Sequence, residues 1–211
     1  MRGSLRSRPN TLRDRLIWQC ASLLLCYPDN VSIGYANDLL AHLEGTAAAL
    51  LRRTVDSLKA ADPLQAAADY VDTFDMKRRA TLYLTYWTAG DTRNRGTAML
   101  EFSSAYRAAG MHAPHGESPD FLPVVLEFAA TVDADAGRGL LAAHRVPLDV
   151  LHAALIEMGS PYAGVVAAVC TTLPAPTERD AARALRLAEA GPPAEAVGLQ
   201  PFTLTVPPRR A

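Results

Sequence analysis

The chain is short of most things that chemistry needs. It has no excess of either charge: 21 basic and 22 acidic side chains among 211 residues leave a net charge of −1. That balance removes the electrostatic footprint of a general nucleic-acid binder. With 49% apolar residues the chain is also not a disordered one. Only three cysteines occur, Cys20, Cys26 and Cys170. An odd number with no C-x-x-C excludes a disulfide framework, a zinc ribbon and a thioredoxin-like pair. Cys20 and Cys26 stand about 240° apart around a helix and cannot face each other, so reduced, buried thiols are expected. The longest apolar run, LIWQCASLLLCY at 16–27, falls short of the ~20 residues of a membrane span. Arg2, Arg6 and Arg8 precede it as in a signal peptide, but Asp14 and Arg15 abut the run and no A-x-A site follows. A buried first helix is the expected outcome.

Catalytic signatures are equally scarce. AGDTRNRGT at 89–97 brackets two arginines with two glycines, yet matches neither G-x-x-x-x-G-K-[ST] nor G-x-G-x-x-G. His112, His115 and Glu117 offer only an isolated H-x-x-H in a loop, a weak metal signal. No nucleophile elbow is present.

What the chain does have is helical punctuation. One helix fits 11–27 and stops at Pro28-Asp29-Asn30. Others fit 32–42, 47–60 and 63–74, the last opened by Pro63. RRATLYLTYWTA at 78–89 spaces Leu82, Tyr83, Tyr86 and Trp87 as a helix would, although its β-branched and aromatic residues leave a strand possible. Met99, Phe102, Tyr106 and Ala109 form a helical stripe over 92–109, closed by Gly110. Asp120 fits the cap of the next helix, with Pro123 in the first turn. FLPVVLEFAA at 121–130 is apolar nearly all round, which predicts a central helix. Helices over 135–145, 147–158 and 161–172 follow, and a last one over 177–190 opens with Thr177 and Asp180 in capping-box positions. The prolines beyond Gly191 carry little helical pattern. These signals predict a single all-α domain over residues 10–190 and an irregular tail over 191–211.

On that layout AGDTRNRGT becomes a helix junction. Gly90 supplies the positive φ that ends one helix, and Asp91 caps the next. Arg93 and Arg95 then stand at a helix start, the wrong end for cations, so they must answer another charge. Six basic residues (Lys77, Arg78, Arg79, Arg93, Arg95, Arg107) oppose two acidic ones over 76–110. Five acidic residues (Glu117, Asp120, Glu127, Asp133, Asp135) and no basic one occupy 111–135. Glu127, inside an apolar helix, reads as a buried carboxylate whose partner is one of these arginines. The same groups could line a groove for a partner.

YVDTFDMKRRATLYLTYWTAGDTRNRGTAMLEF at 70–102 and ESPDFLPVVLEFAA at 117–130 resemble the NarJ-type nitrate reductase molybdenum cofactor assembly chaperones. These sit within the all-helical redox-enzyme maturation chaperones that include the TorD and DmsD types. The E-x-P-D pattern (Glu117, Pro119, Asp120) and GDTRxRG (Gly90 to Gly96) carry the resemblance. It implies a TorD-like multi-helix domain that is not an enzyme and holds no cofactor or metal of its own. It implies a cytoplasmic protein, without direct membrane insertion or nucleic-acid binding. Its partner would be the apo catalytic α subunit of respiratory nitrate reductase, recognised by its N-terminal segment and held competent for molybdenum cofactor insertion. The partner-binding residues expected are Tyr83, Tyr86, Trp87, Asp91, Arg93, Arg95, Glu117, Pro119, Asp120 and Glu127. The alternatives are a maturation chaperone for a different molybdoenzyme and a helical nucleic-acid-binding regulator using Lys77–Arg79 and Arg93–Arg95.

Overall fold

A computed structural model describes residues 11–90, 93–112 and 116–192, apart from the side chains of Thr11 and Arg93. The expected Pro-rich tail lies outside the described residues from 193 onward. The described residues are predominantly helical and form no strand beyond one isolated bridge, as the all-α reading requires. In order it forms α1 (Thr11–Leu25), α2 (Asn30–Leu40), α3 (Gly45–Ala60), α4 (Pro63–Tyr70), α5 (Tyr86–Ala89), α6 (Arg93–Ala108), α7 (Leu122–Thr131), α8 (Ala134–Ala143), α9 (Arg145–Glu157), α10 (Ala163–Cys170) and α11 (Glu178–Ala190).

The helix ends carry local caps, two of which sequence reasoning did not name: Asp29 accepts from the Val31 and Ser32 amides at the start of α2, and Asp62 from Leu64 and Gln65 before the expected Pro63 in α4. Thr177 and Asp180 form the reciprocal capping box of α11. Gly90 has φ +60 and Gly110 φ +75, each just past a helix end.

The central element is α7. Leu122, Pro123, Val125, Leu126, Phe128, Ala129 and Ala130 are all buried, and α7 packs on α1 and α8. From α1, Ile17, Trp18, Ala21 and Leu24 enter the same core. The Trp18 indole donates to Thr172 Oγ1 at 2.8 Å, and Arg138 both pairs with Asp14 at 2.7 Å and lies over the Trp18 ring. Two glycines set helix spacing. A Cβ on Gly137 would meet the Ala129 Cβ at 2.3 Å, and one on Gly164 the Leu50 carbonyl at 2.9 Å.

Two stretches depart from the helical expectation. The helix through Phe74 ends as α-helix at Tyr70 and continues as a π-helical turn over Val71–Asp75. Residues 78–89 are not one helix. Arg78–Ala80 is a 3₁₀ turn, the chain runs through an isolated antiparallel bridge from Tyr83 to Phe121 and then turns at 84–85, and α5 has only four residues. Period two overrode period 3.6 here: Leu82 and Leu84 are buried while Tyr83 between them is exposed.

Burial pushes the Cys20 thiol up to about 12, and the Cys26 and Cys170 thiols to about 11. Cys20 is fully buried, whereas Cys26 and Cys170 are half-buried. Raised folded pKa values mean that the folded state holds more protons than the unfolded one above pH ~8.5–9. Stability is therefore expected to be fully present below that pH and to fall as the pH rises toward 11, a loss that urea titrations at pH 8 and 10 would detect. Gly137→Ala is expected to cost ~1–3 kcal/mol by overpacking α8 on α7, read as a lower urea midpoint. An unchanged midpoint would mean that the two helices can separate freely.

Candidate partner-binding site

The bridge joins the two segments that carry the sequence motifs. The Leu84 amide donates to the Asp120 carbonyl at 3.1 Å and the Leu122 amide to the Leu82 carbonyl at 2.9 Å. The second bond occupies an amide at the start of α7 that would otherwise have no partner. Asp120 is therefore not the N-cap of α7. That position is Phe121, which caps with no side-chain bond.

The Asp120 carboxylate, fully buried, turns the other way. It accepts from the Thr85 amide at 3.1 Å, from the Thr85 hydroxyl at 2.5 Å and from the Ser118 hydroxyl, and Arg95 Nη2 lies 3.8 Å from it. Arg95 also lies across Tyr83, 5.2 Å from its ring centroid, and 5.9 Å from that of Tyr86. Behind the loop, the Tyr106 hydroxyl donates to the Pro119 carbonyl at 2.7 Å.

The expected site residues thus separate into two layers. Asp120 and Trp87 are sealed inside and Tyr86 nearly so, so none of the three presents a surface to a partner. The two aromatics are buried because α5 turns one face inward as the chain leaves the bridge. Glu127 is the opposite correction. It is exposed on α7 and not the buried partner of an arginine; Arg95 answers Asp120 instead. An outward position on α7 leaves a carboxylate in water, where it needs no partner. Tyr83, Glu117 and Glu127 face outward, with Arg95 and Pro119 partly covered. Asp91 and the Arg93 side chain lie outside the described residues.

The outward acids share one field. Burial is the largest cause that raises the Tyr83 phenol, followed by Glu117, with Arg95 opposing. The Cys26 thiol is raised by burial, then by Glu127, Glu117 and Asp29. Tyr83 stacks at 5.3 Å on Phe121. Further along α7 a groove of about 170 Å³ opens, with Val124, Phe128, Val132 and Met111 as apolar walls and Glu127 and His112 at its edge. Sequence reasoning missed this groove, although Val124, Phe128 and Val132 repeat at four-residue spacing. Thr85 and Ser118 were missed as well; Ser-x-Asp is the one local hint of the second. Among the described residues no group of three or more His, Cys, Asp or Glu could hold a metal ion. No single helix among them is long and apolar enough to cross a membrane.

The architecture is shared with a candidate redox enzyme maturation protein from Archaeoglobus fulgidus, whose crystal structure superposes with a TM-score of 0.59 at 23% identity over 81% of this chain and 98% of that one. That likeness fixes the fold. The family is fixed by sequence: the nitrate reductase delta subunit profile matches residues 37–168, and the chain belongs to that family. It is 62% identical over 157 residues to the nitrate reductase-like protein NarX of Mycobacterium tuberculosis H37Rv, covering 74% of this chain and 24% of NarX. The chain thus spans about a quarter of that relative's length. The Bacillus subtilis protein named "Probable nitrate reductase molybdenum cofactor assembly chaperone NarJ" is 28% identical over 158 residues, 73% of this chain and 86% of that protein.

Asp120→Ala is expected to cost ~2–4 kcal/mol in urea unfolding, because it strands the Thr85 amide and leaves Arg95 without its carboxylate. Glu127→Gln should cost under ~0.5 kcal/mol, as befits an exposed position. Equal losses would mean that Asp120 is not the buried anchor.

Proposed function

We propose that this protein is a nitrate reductase maturation chaperone. In this reading it acts in the cytoplasm on the apo catalytic α subunit, binds that subunit's N-terminal segment, and keeps it competent for molybdenum cofactor insertion and assembly. It is a binding protein, and the cofactor is the client's cargo. Family membership supports the class of function. The observation that carries the binding mode is the apolar strip from Tyr83 and Phe121 along α7 to the Met111–Val132 groove, bordered by Glu117 and Glu127.

A client peptide of ~15–20 residues is marginally helical in water. It loses conformational entropy on binding, and an apolar face laid in a groove supplies the offset. Exposed carboxylates add steering and specificity more than affinity, and salt screens their contribution. Asp120 takes no part in this reading, since it is fully buried and engaged with Thr85 and Ser118. Tyr86 and Trp87 support the surface from behind.

The test is calorimetry with a synthetic peptide of the α subunit's N-terminal segment. It is expected to bind the protein alone and to gain helix, and scrambling its apolar positions should abolish binding. Glu117→Gln with Glu127→Gln should weaken a basic peptide by about threefold to tenfold at low salt, a difference that fades near 1 M salt, where the Debye length is ~3 Å. No heat and no spectral change at millimolar peptide would reject the segment as the recognised element.

A further inference from the structure

We propose a second site, on the side of the 3₁₀ turn, that binds a small phosphorylated ligand through Lys77, Arg78 and Arg79. The three consecutive cations are all exposed. Among the described residues none of them forms an ion pair or a side-chain hydrogen bond. They border a cavity of about 460 Å³ whose other wall is Ala154, Glu157 and Met158, at the C-terminal end of α9. This volume falls within the ~300–1,000 Å³ of small-molecule sites.

A bland account would have the cations answer the negative end of α9. Three of the last four carbonyls of that helix are already occupied: the Met158 amide donates to Ala154, Gly159 to Ile156 and Ser160 to Leu155, at 2.9–3.1 Å. Glu157 lies on the cavity wall but within ion-pair distance of none of the three. Three positive charges against one negative leave a surplus that the fold does not use. Three arginines elsewhere among the described residues do face a carboxylate: Arg138 pairs with Asp14, Arg145 with Asp149, and Arg95 lies beside Asp120.

The lining selects among anions. Two guanidinium forks and an ammonium suit the oxygens of a diphosphate better than a single carboxylate. The Met158 thioether and Ala154 provide an apolar wall for a flat ring, and sulfur–ring contact is favourable. Glu157 is an acceptor for a ring N–H. The ligand class that uses every wall is a phosphorylated heteroaromatic compound, with its phosphates at the cations and its ring on Met158. This site lies apart from the Tyr83–Val132 strip, and it stands or falls independently of the client reading.

The experiment is titration calorimetry on the full chain with pyrophosphate, ADP and adenosine. Pyrophosphate is expected to bind with a Kd of ~0.1–1 mM, ADP more tightly, and adenosine not measurably. Arg78→Gln with Arg79→Gln should weaken both diphosphates at least about tenfold. Arg53→Gln with Arg107→Gln, which removes the same charge from α3 and α6, should leave them unchanged. Circular dichroism of both doubles should match the parent, since all four side chains are exposed. Absence of diphosphate binding at ~10 mM, equal loss in the two double variants, or binding of a glutamate-rich peptide where the diphosphates fail would each overturn the proposal. The last result would assign the cations to an acidic protein partner.

Discussion

A carboxylate with no exposed surface must have its charge met atom by atom, and around Asp120 this requirement organises the motif region. Its oxygens take the Thr85 amide and hydroxyl and the Ser118 hydroxyl, with Arg95 alongside. Those donors come from three places in the chain: the turn that follows the bridge at Tyr83, the loop before α7, and the first turn of α6. Because a half-satisfied buried charge is far costlier than a satisfied one, the three cannot move apart independently. The antiparallel bridge then fixes the start of α7, and Tyr83, held between two buried leucines, is turned toward solvent over Arg95.

The acids of this region do two separate kinds of work. Asp120 gives stability from inside. Glu117 and Glu127 remain in water; Glu117 raises both the Tyr83 phenol and the Cys26 thiol, and Glu127 raises the Cys26 thiol. Exposed carboxylates add little to stability, and it is only in the proposed function that their place beside an exposed aromatic and an apolar groove is given a role. That division follows from burial, not from residue type: three carboxylates within eleven positions of the chain have one role in the core and another on the rim.

Much of the fold was legible because the helix ends are written in local chemistry. Pro63, the Thr177–Asp180 box and Gly90 and Gly110 each act through a few neighbouring groups, and each is found where the pattern puts it. Central α7 was legible from its nearly unbroken apolar composition. The failures share one cause, which is that the deciding partner is distant in sequence. Tyr83 pairs with Phe121, so 82–84 follows the alternation of Leu82 and Leu84 and not the helical spacing of its aromatics. Asp120 looked like a cap because Pro123 follows, but Thr85, thirty-five residues away, claims its side chain. Glu127 looked buried because its helix is apolar. Which edge of a nearly apolar helix meets water depends on α1 and α8, not on the helix itself.

The E-x-P-D spacing can now be given a physical reason. Glu117, Pro119 and Asp120 occupy the short descent from an exposed loop into the core, and each step changes the environment. Glu117 is still in solvent. The Pro119 carbonyl is taken by the Tyr106 hydroxyl of α6, while its ring restricts the backbone that leads to the bridge. Asp120 is fully buried and latched to Thr85. Exchanging the order would put a solvated acid in the core or leave the latch in water. A restricted residue between the outer acid and the inner one lets a solvated charge and a structural charge stand three positions apart without competing for the same partner.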